Sequence, residues 1–129
     1  MFRRLSWLLL TTAMLAGCQA KPPQAVPCNS PQLGCEQAGV KVRFSTAPVV
    51  LTPFVLEVEA PGAKQVSASF SMLDMDMGEN RYQLEPQRDG SSWRHMIILP
   101  VCIAGRSDWQ LRLDVDGQPR IFTFSAAAR

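Results

Sequence analysis

Methionine and acidic side chains crowd into one short stretch of this chain, "SMLDMDMGEN", at residues 71–80. In an extended chain the side chains of Met75 and Met77 point the same way, ~6.6 Å apart along the strand. Asp74 and Asp76 point the other way. Thioether sulfur is a soft, uncharged ligand that selects Cu(I) and needs no deprotonation before it binds. The stretch therefore predicts a Cu(I) site at Met75 and Met77.

Two adjacent residues further along the chain supply more donors. His95 is the only histidine in the sequence, and Met96 follows it directly. Adjacent residues of a strand point to opposite faces, so at most one of them serves a given site. We expect His95 to be the third ligand, with Met72, Met96 and Cys102 as further candidates. For Met72 the alternation of the preceding strand favours a place in the core.

Two other interpretations of the methionine-rich stretch compete with a copper site. Asp74, Asp76 and Glu79 carry the oxygen ligands that Ca²⁺ prefers, but "DMDMGEN" lacks the third oxygen-bearing position and the distant glutamate of an EF-hand loop. Methionine is also a common gap-filler in cores. The first alternative is disfavoured by the spacing, and the second stays open.

The N-terminal residues 1–17 have the pattern of a secretory signal. Two arginines precede an apolar run of about ten residues, which is shorter than the roughly 20 that a spanning helix needs. The run ends in "LAGC", which resembles the lipobox of bacterial lipoproteins. That resemblance implies that Cys18 becomes the N-terminus and carries the lipid, palmitate included, whereas an ordinary signal peptide would be cut nearby. Gln19 follows where inner-membrane retention usually has Asp, which implies an outer-membrane anchor facing the periplasm.

Charge and motifs narrow the function classes. Loss of Arg3 and Arg4 with the signal lowers the 13 Lys and Arg to 11, equal to the 11 Asp and Glu. A net charge near zero disfavours nucleic-acid binding. No "GxSxG" motif occurs, and a single histidine is too few for a hydrolytic metal centre. We therefore expect a protein that is not an enzyme.

Residues 18–39 read as a lipidated flexible tether, because they contain four prolines, few large apolar groups and no periodicity. Cys28 and Cys35 lie within this segment. In an oxidising periplasm they could pair locally, or either could pair with Cys102 and fix the tether to the domain. The sequence does not choose among these pairings.

Residues 40–129 alternate between apolar and polar side chains as β-strands do. An Asp116-Gly117 pair is a strong hairpin signal. About seven short strands separated by turns predict a single all-β domain, an immunoglobulin-like β-sandwich, with a small barrel as the alternative. The predicted strands are 40–45, 54–60, 64–72, 81–86, 92–100, 108–115 and 120–125.

The run "FSMLDMDMGENRYQLEP" followed by "WRHMIILPVCIAGRSDWQLRLDV" resembles the small periplasmic domains of the YtkA-like and FixH-like group. It is also similar to short lipoproteins associated with Sco-type copper proteins. The resemblance covers residues 40–125 and implies an immunoglobulin-like sandwich with a role in copper handling or copper-oxidase maturation. By position it implies Met75, Met77 and His95 as ligands, with a copper chaperone or an oxidase assembly protein as partner. A single imidazole favours Cu(I) over Cu(II).

Two functions therefore follow from the sequence. The first is a lipoprotein that is anchored through Cys18, faces the periplasm and binds Cu(I) at Met75, Met77 and His95. The second is a metal-free sandwich that acts as an interaction or structural module of the cell envelope.

Overall fold

A computed structural model describes residue 17 and residues 23–73, 80–101 and 107–128, and this part of the chain is all β. Its ten strands form two sheets of five strands each. No helix in the described residues is long and apolar enough to cross a membrane. The all-β sandwich predicted from the sequence is confirmed, and its immunoglobulin-like type stays a prediction.

The ten strands divide evenly between the two sheets. In chain order they are β1 (Ala25–Pro27), β2 (Cys35–Gln37), β3 (Val40–Phe44), β4 (Phe54–Glu59), β5 (Val66–Met72), β6 (Arg81–Gln83), β7 (Glu85–Pro86), β8 (Ser92–Ile97), β9 (Asp108–Val115) and β10 (Gln118–Ser125). Sheet A has the order β1-β10-β9-β5-β6, and sheet B has the order β2-β3-β4-β8-β7. All strand pairs are antiparallel except β1 with β10.

The core lies between the inner faces of the two sheets. Every second residue of β3, β4 and β5 is buried, as the alternation predicts, and β9 follows the same pattern as far as Leu113. No polar or charged residue among those described is buried. Phe44 and Phe54 of sheet B meet Phe124 and Phe70 of sheet A edge-on, with ring centroids 5.1 and 6.4 Å apart respectively. Full burial of such a side chain contributes about 1.5 to 3 kcal/mol, so this cluster holds the sheets together.

The boundary predicted between tether and domain is wrong. The sandwich was expected to begin at Val40, but β1 pairs with β10 and β2 pairs with β3, so the sheets already include residues 25–37. Cys28 is buried in the same core. Prolines do not prevent this, because β1 is an edge strand and Pro27 needs no partner for a missing N–H there.

A disulfide joins Cys28 to Cys35, which is the local one of the pairings that the sequence left open. Cys28 directly follows β1 of sheet A, and Cys35 begins β2 of sheet B. The bond therefore ties the edge strands of the two sheets to each other. It closes one side of the sandwich where the strands themselves are only three residues long.

The strand predicted at 81–86 is two short strands in different sheets. β6 pairs with β5 in sheet A, and β7 pairs with β8 in sheet B. Between them Leu84 is buried, and its N–H donates to the carbonyl of Val66 before the chain crosses to the other sheet. Strands that bend from one sheet to the other form such corners in sandwiches. This crossing brings β6 next to β8.

Two strand ends lie where the sequence predicts them, at the Asp116-Gly117 turn and after Met72. β9 and β10 are joined by Asp116 and Gly117, whose φ values of 50° and 80° are those of a type I′ hairpin turn. The carboxylate of Asp116 also accepts hydrogen bonds from the N–H groups of Lys64 and Gln65. β5 ends at Met72, as expected from the acid that would otherwise follow on the core face.

Candidate metal site

His95 lies on the inner side of β8. It pairs with Leu56 of the adjacent strand β4, whose side chain is fully buried. Along β8 the inward side is shared by Trp93, His95 and Ile97, and the outward side by Arg94 and Met96. The imidazole is half-buried. It therefore sits at the margin of the core.

One hydrogen bond determines which imidazole nitrogen of His95 can bind a ligand. Nδ1 lies 2.7 Å from the carbonyl oxygen of Met96. A carbonyl can only accept, so the proton of the neutral ring belongs on Nδ1 and the lone pair on Nε2. Within the described residues the imidazole of His95 has no second hydrogen bond. An imidazole whose Nδ1–H donates to a backbone carbonyl is the arrangement that orients metal-binding histidines.

Tyr82 of β6 packs against this imidazole from the opposite sheet. The two ring centroids are 5.1 Å apart and the planes are tilted by 52°. The Tyr82 hydroxyl donates to the carbonyl of Ile98 at 3.1 Å and lies 3.4 Å from its N–H. On the other side, the Tyr82 ring meets Phe70 edge-on at 6.1 Å. The tyrosine thus links His95 to the phenylalanine cluster of the core.

Met75 and Met77 lie outside the described residues. Leu73 follows β5 directly, and the carbonyl of Asn80 accepts from the N–H of Phe70 at 2.9 Å, just before β6 begins. The described residues on either side of them, Leu73 and Asn80, therefore adjoin β5 and β6 of sheet A.

The structure assigns different surroundings to the remaining candidates. Met72 is 2% exposed and pairs with Trp109, so it belongs to the core. Met96 is 58% exposed on the outer face of sheet B and cannot share a site with the inward-facing His95. Cys102 lies outside the described residues, as do Cys18, Asp74, Asp76 and Glu79. No group of three His, Cys, Asp or Glu that could hold a metal occurs in the described part.

A concave surface on the outer face of sheet B is lined mainly by charged side chains. Glu57 forms ion pairs with Arg43 at 3.2 Å and with Arg94 at 2.7 Å. A cavity of about 430 Å³ lies beside them, lined by Gln32, Leu33, Lys41, Arg43, Glu57 and Glu59. Both arginine side chains are about half exposed, and exposed pairs contribute only about 0–1 kcal/mol. The cavity lining has no soft donor, so it is not a site for Cu(I).

Sequence reasoning missed Tyr82. The available signals were that it is the only tyrosine of the chain and that in "RYQL" it shares a face with Leu84. Its contact with His95 arises only after the chain crosses between sheets, and no local pattern predicts that crossing.

Comparison of the chain with protein families, with characterised proteins and with solved structures found no match. The resemblance to the YtkA-like and FixH-like group therefore stays a prediction from the sequence.

Proposed function

We propose that this protein is a periplasm-facing lipoprotein that binds Cu(I) through Met75 and Met77, with His95 as third ligand. It would serve copper handling or the maturation of a copper oxidase. The observation that carries the proposal is the hydrogen bond from Nδ1 of His95 to the Met96 carbonyl, because it leaves Nε2 as the ligand atom. The proposal combines that nitrogen with the two soft sulfurs of Met75 and Met77.

The donor set suits Cu(I) on chemical grounds. Two thioethers and one neutral imidazole bind a soft monovalent ion without adding charge to the site. Neutral ligands also bind without first losing a proton, except for the protonated form of the imidazole. Such a site can take up and release Cu(I) in exchange with a partner such as a copper chaperone or an oxidase assembly protein.

The proposed anchor places this site at the envelope. A lipid on Cys18 would hold the chain to a membrane, with the outer membrane favoured by Gln19. The described sandwich begins at Ala25, so only residues 18–24 separate the lipid from the first strand. At ~3.6 Å per residue this spacer spans at most about 25 Å, which keeps the domain close to the membrane surface.

The test is an anaerobic competition titration of the full mature chain, in detergent, against a chromogenic Cu(I) chelator. The Met75→Leu/Met77→Leu variant removes both sulfurs while nearly conserving side-chain volume. Met96→Leu is the matched control, because that methionine is exposed on the other side of β8. We expect wild type and the control to withdraw one equivalent of Cu(I) and the double variant to withdraw none. Equal behaviour of all three proteins would remove the methionine site.

A metal-free interaction module is the second candidate, and one observation favours it. Met96, Ile98 and Val101 are 58%, 45% and 57% exposed at and beyond the end of β8. Exposed apolar groups that lie close together can mark a contact surface. Failure of wild type to compete for Cu(I) would make this module the better account.

A further inference from the structure

We propose that Tyr82 is the positioning residue for His95, holding the imidazole in the tautomer that presents Nε2 as its only lone-pair nitrogen. The inference rests on the proposed function in one respect only, the identity of Cu(I) as the ion that Nε2 binds. The arrangement of the two rings stands on contacts among described residues.

Tyr82 is fixed at both ends of its side chain. Its backbone pairs with Ala68 in sheet A, and its ring meets Phe70 edge-on. Its hydroxyl bonds to the backbone of Ile98, two residues beyond Met96 and outside β8. The ring therefore spans the gap between the sheets as a bridge, with little freedom to move.

This bridge limits the orientations that the imidazole can adopt. The tyrosine ring lies 5.1 Å from the imidazole centroid, on the side where sheet A faces sheet B. The Met96 carbonyl accepts the Nδ1 proton. A 180° flip of the ring would place Cδ2 where Nδ1 lies and break that bond. With Tyr82 in place, the orientation in which Nδ1–H donates is favoured before any metal arrives.

Two side-chain hydrogen bonds, from the His95 imidazole and from the Tyr82 hydroxyl, occupy backbone carbonyls at the open edge of β8 and just beyond it. β7 pairs only with Trp93 and Arg94, so the edge of β8 beyond Arg94 has no strand beside it among the described residues. The carbonyls of Met96 and Ile98 are taken instead by the His95 imidazole and the Tyr82 hydroxyl. These two side chains are also in ring contact with each other. A substitution of Tyr82 therefore changes the packing that holds the His95 imidazole in its orientation.

Pre-orientation of this kind affects metal affinity. Groups that orient a ligating histidine through its second nitrogen typically contribute 10–100-fold to metal affinity. Tyr82 acts one contact further away, so we expect the lower end of that range. Tyr82→Leu should weaken Cu(I) binding about tenfold, and Tyr82→Phe, which loses only the hydroxyl anchor, about threefold.

The deciding experiment is long-range ¹H–¹⁵N correlation NMR of the imidazole in the metal-free mature chain. His95 is the only histidine, so its ring nitrogens are assigned without ambiguity. In wild type we expect the tautomer with a protonated Nδ1 and an unprotonated Nε2. Tyr82→Phe should favour the same tautomer, but in a smaller fraction of the molecules, and Tyr82→Leu should show a mixture of both tautomers. Gln83→Ala, a neutral change next to Tyr82 on the opposite face, should resemble wild type.

Two outcomes would overturn the inference. One is wild type in which Nε2 carries the proton, and the other is a Tyr82→Leu protein, folded by its urea transition, that keeps the wild-type tautomer. If Tyr82→Leu does not fold, an unchanged tautomer population in Tyr82→Phe has the same meaning. The NMR result is independent of copper, so wild type that shows the expected tautomers but binds no Cu(I) would refute the proposed function and leave the positioning role of Tyr82 intact.

Discussion

Removal of the Cys28–Cys35 disulfide tests whether residues 25–37 belong to the folded domain. The bond connects β1 of sheet A with β2 of sheet B, and both strands lie at sheet edges. We expect Cys28→Ala/Cys35→Ala to lower the free energy of unfolding substantially. If these residues were a free tether, the same change would leave the stability of the domain unaltered.

The size of the effect follows from the loop and from burial. The two cysteines are seven residues apart, so the bond closes a loop of eight. Loop-closure entropy for that length gives about 2.5 kcal/mol. The Cys28 side chain is 2% exposed, and loss of its buried sulfur adds about 1 kcal/mol. The expected total is therefore about 3 to 4 kcal/mol.

Urea unfolding, followed by tryptophan fluorescence, measures this difference. Trp93 and Trp109 are both buried, one in each sheet, so they report on the sandwich as a whole. Reduced wild type is the companion sample, because it keeps both sulfurs and loses only the cross-link. We expect it to lose about 2.5 kcal/mol. A loss below 0.5 kcal/mol in both samples would refute the placement of β1 and β2 in the sheets.

Three further changes have expected outcomes. Asp116 has a positive φ and its carboxylate accepts hydrogen bonds from two N–H groups, so Asp116→Ala should lower the free energy of unfolding in urea by about 1 to 2 kcal/mol. Asp116→Asn should lower it less, and equal losses in the two variants would contradict the turn geometry. The pKa of Asp89 is lowered from 3.8 by hydrogen bonds from the Ser92 hydroxyl and from the N–H groups of Ser91 and Ser92, so its stabilisation is present above that value and is lost as pH falls through the folded pKa. In Asp89→Asn the free energy of unfolding, measured with urea, should therefore fall less steeply between pH 5 and pH 2, about the range where carboxyls titrate. The same pH dependence as in wild type would contradict this. Cys18→Ser should abolish palmitate labelling and move the protein out of the membrane fraction, and retained labelling would contradict lipidation at Cys18.

The sandwich itself was predictable from the sequence because its inner faces alternate cleanly. In β3 the side chains of Val40, Val42 and Phe44 are buried and those of Lys41 and Arg43 are exposed, as the two-residue period of a strand requires. The hairpin at Asp116 was predictable because its turn type demands positive φ at both central residues.

The N-terminal strands could not be predicted for a physical reason. β1 and β2 have three residues each, too few to show a period. β1 is held by a disulfide and by a parallel pairing of Ala25 with Ile121, which is 96 residues (121 − 25) further along the chain. Such contacts depend on the assembled sheet rather than on local composition, and the prolines around them imitate a linker.

The candidate site was predictable only as a set of residue types. The adjacency of His95 and Met96 correctly excluded one of the pair from any shared site, and the register shows which one faces inward. The contact between Tyr82 and His95 depends on the crossing of the chain at Leu84, which a sequence pattern read strand by strand does not contain.

The most direct measurement of the central claim is X-ray absorption at the copper edge of the mature chain, loaded anaerobically with one equivalent of Cu(I). We predict a first shell of two sulfur scatterers and one nitrogen. The sulfurs should be lost in Met75→Leu/Met77→Leu and the nitrogen in His95→Gln. A shell that is unchanged in both variants, or copper that stays in solution with wild type, would contradict a Cu(I) site built from these three residues.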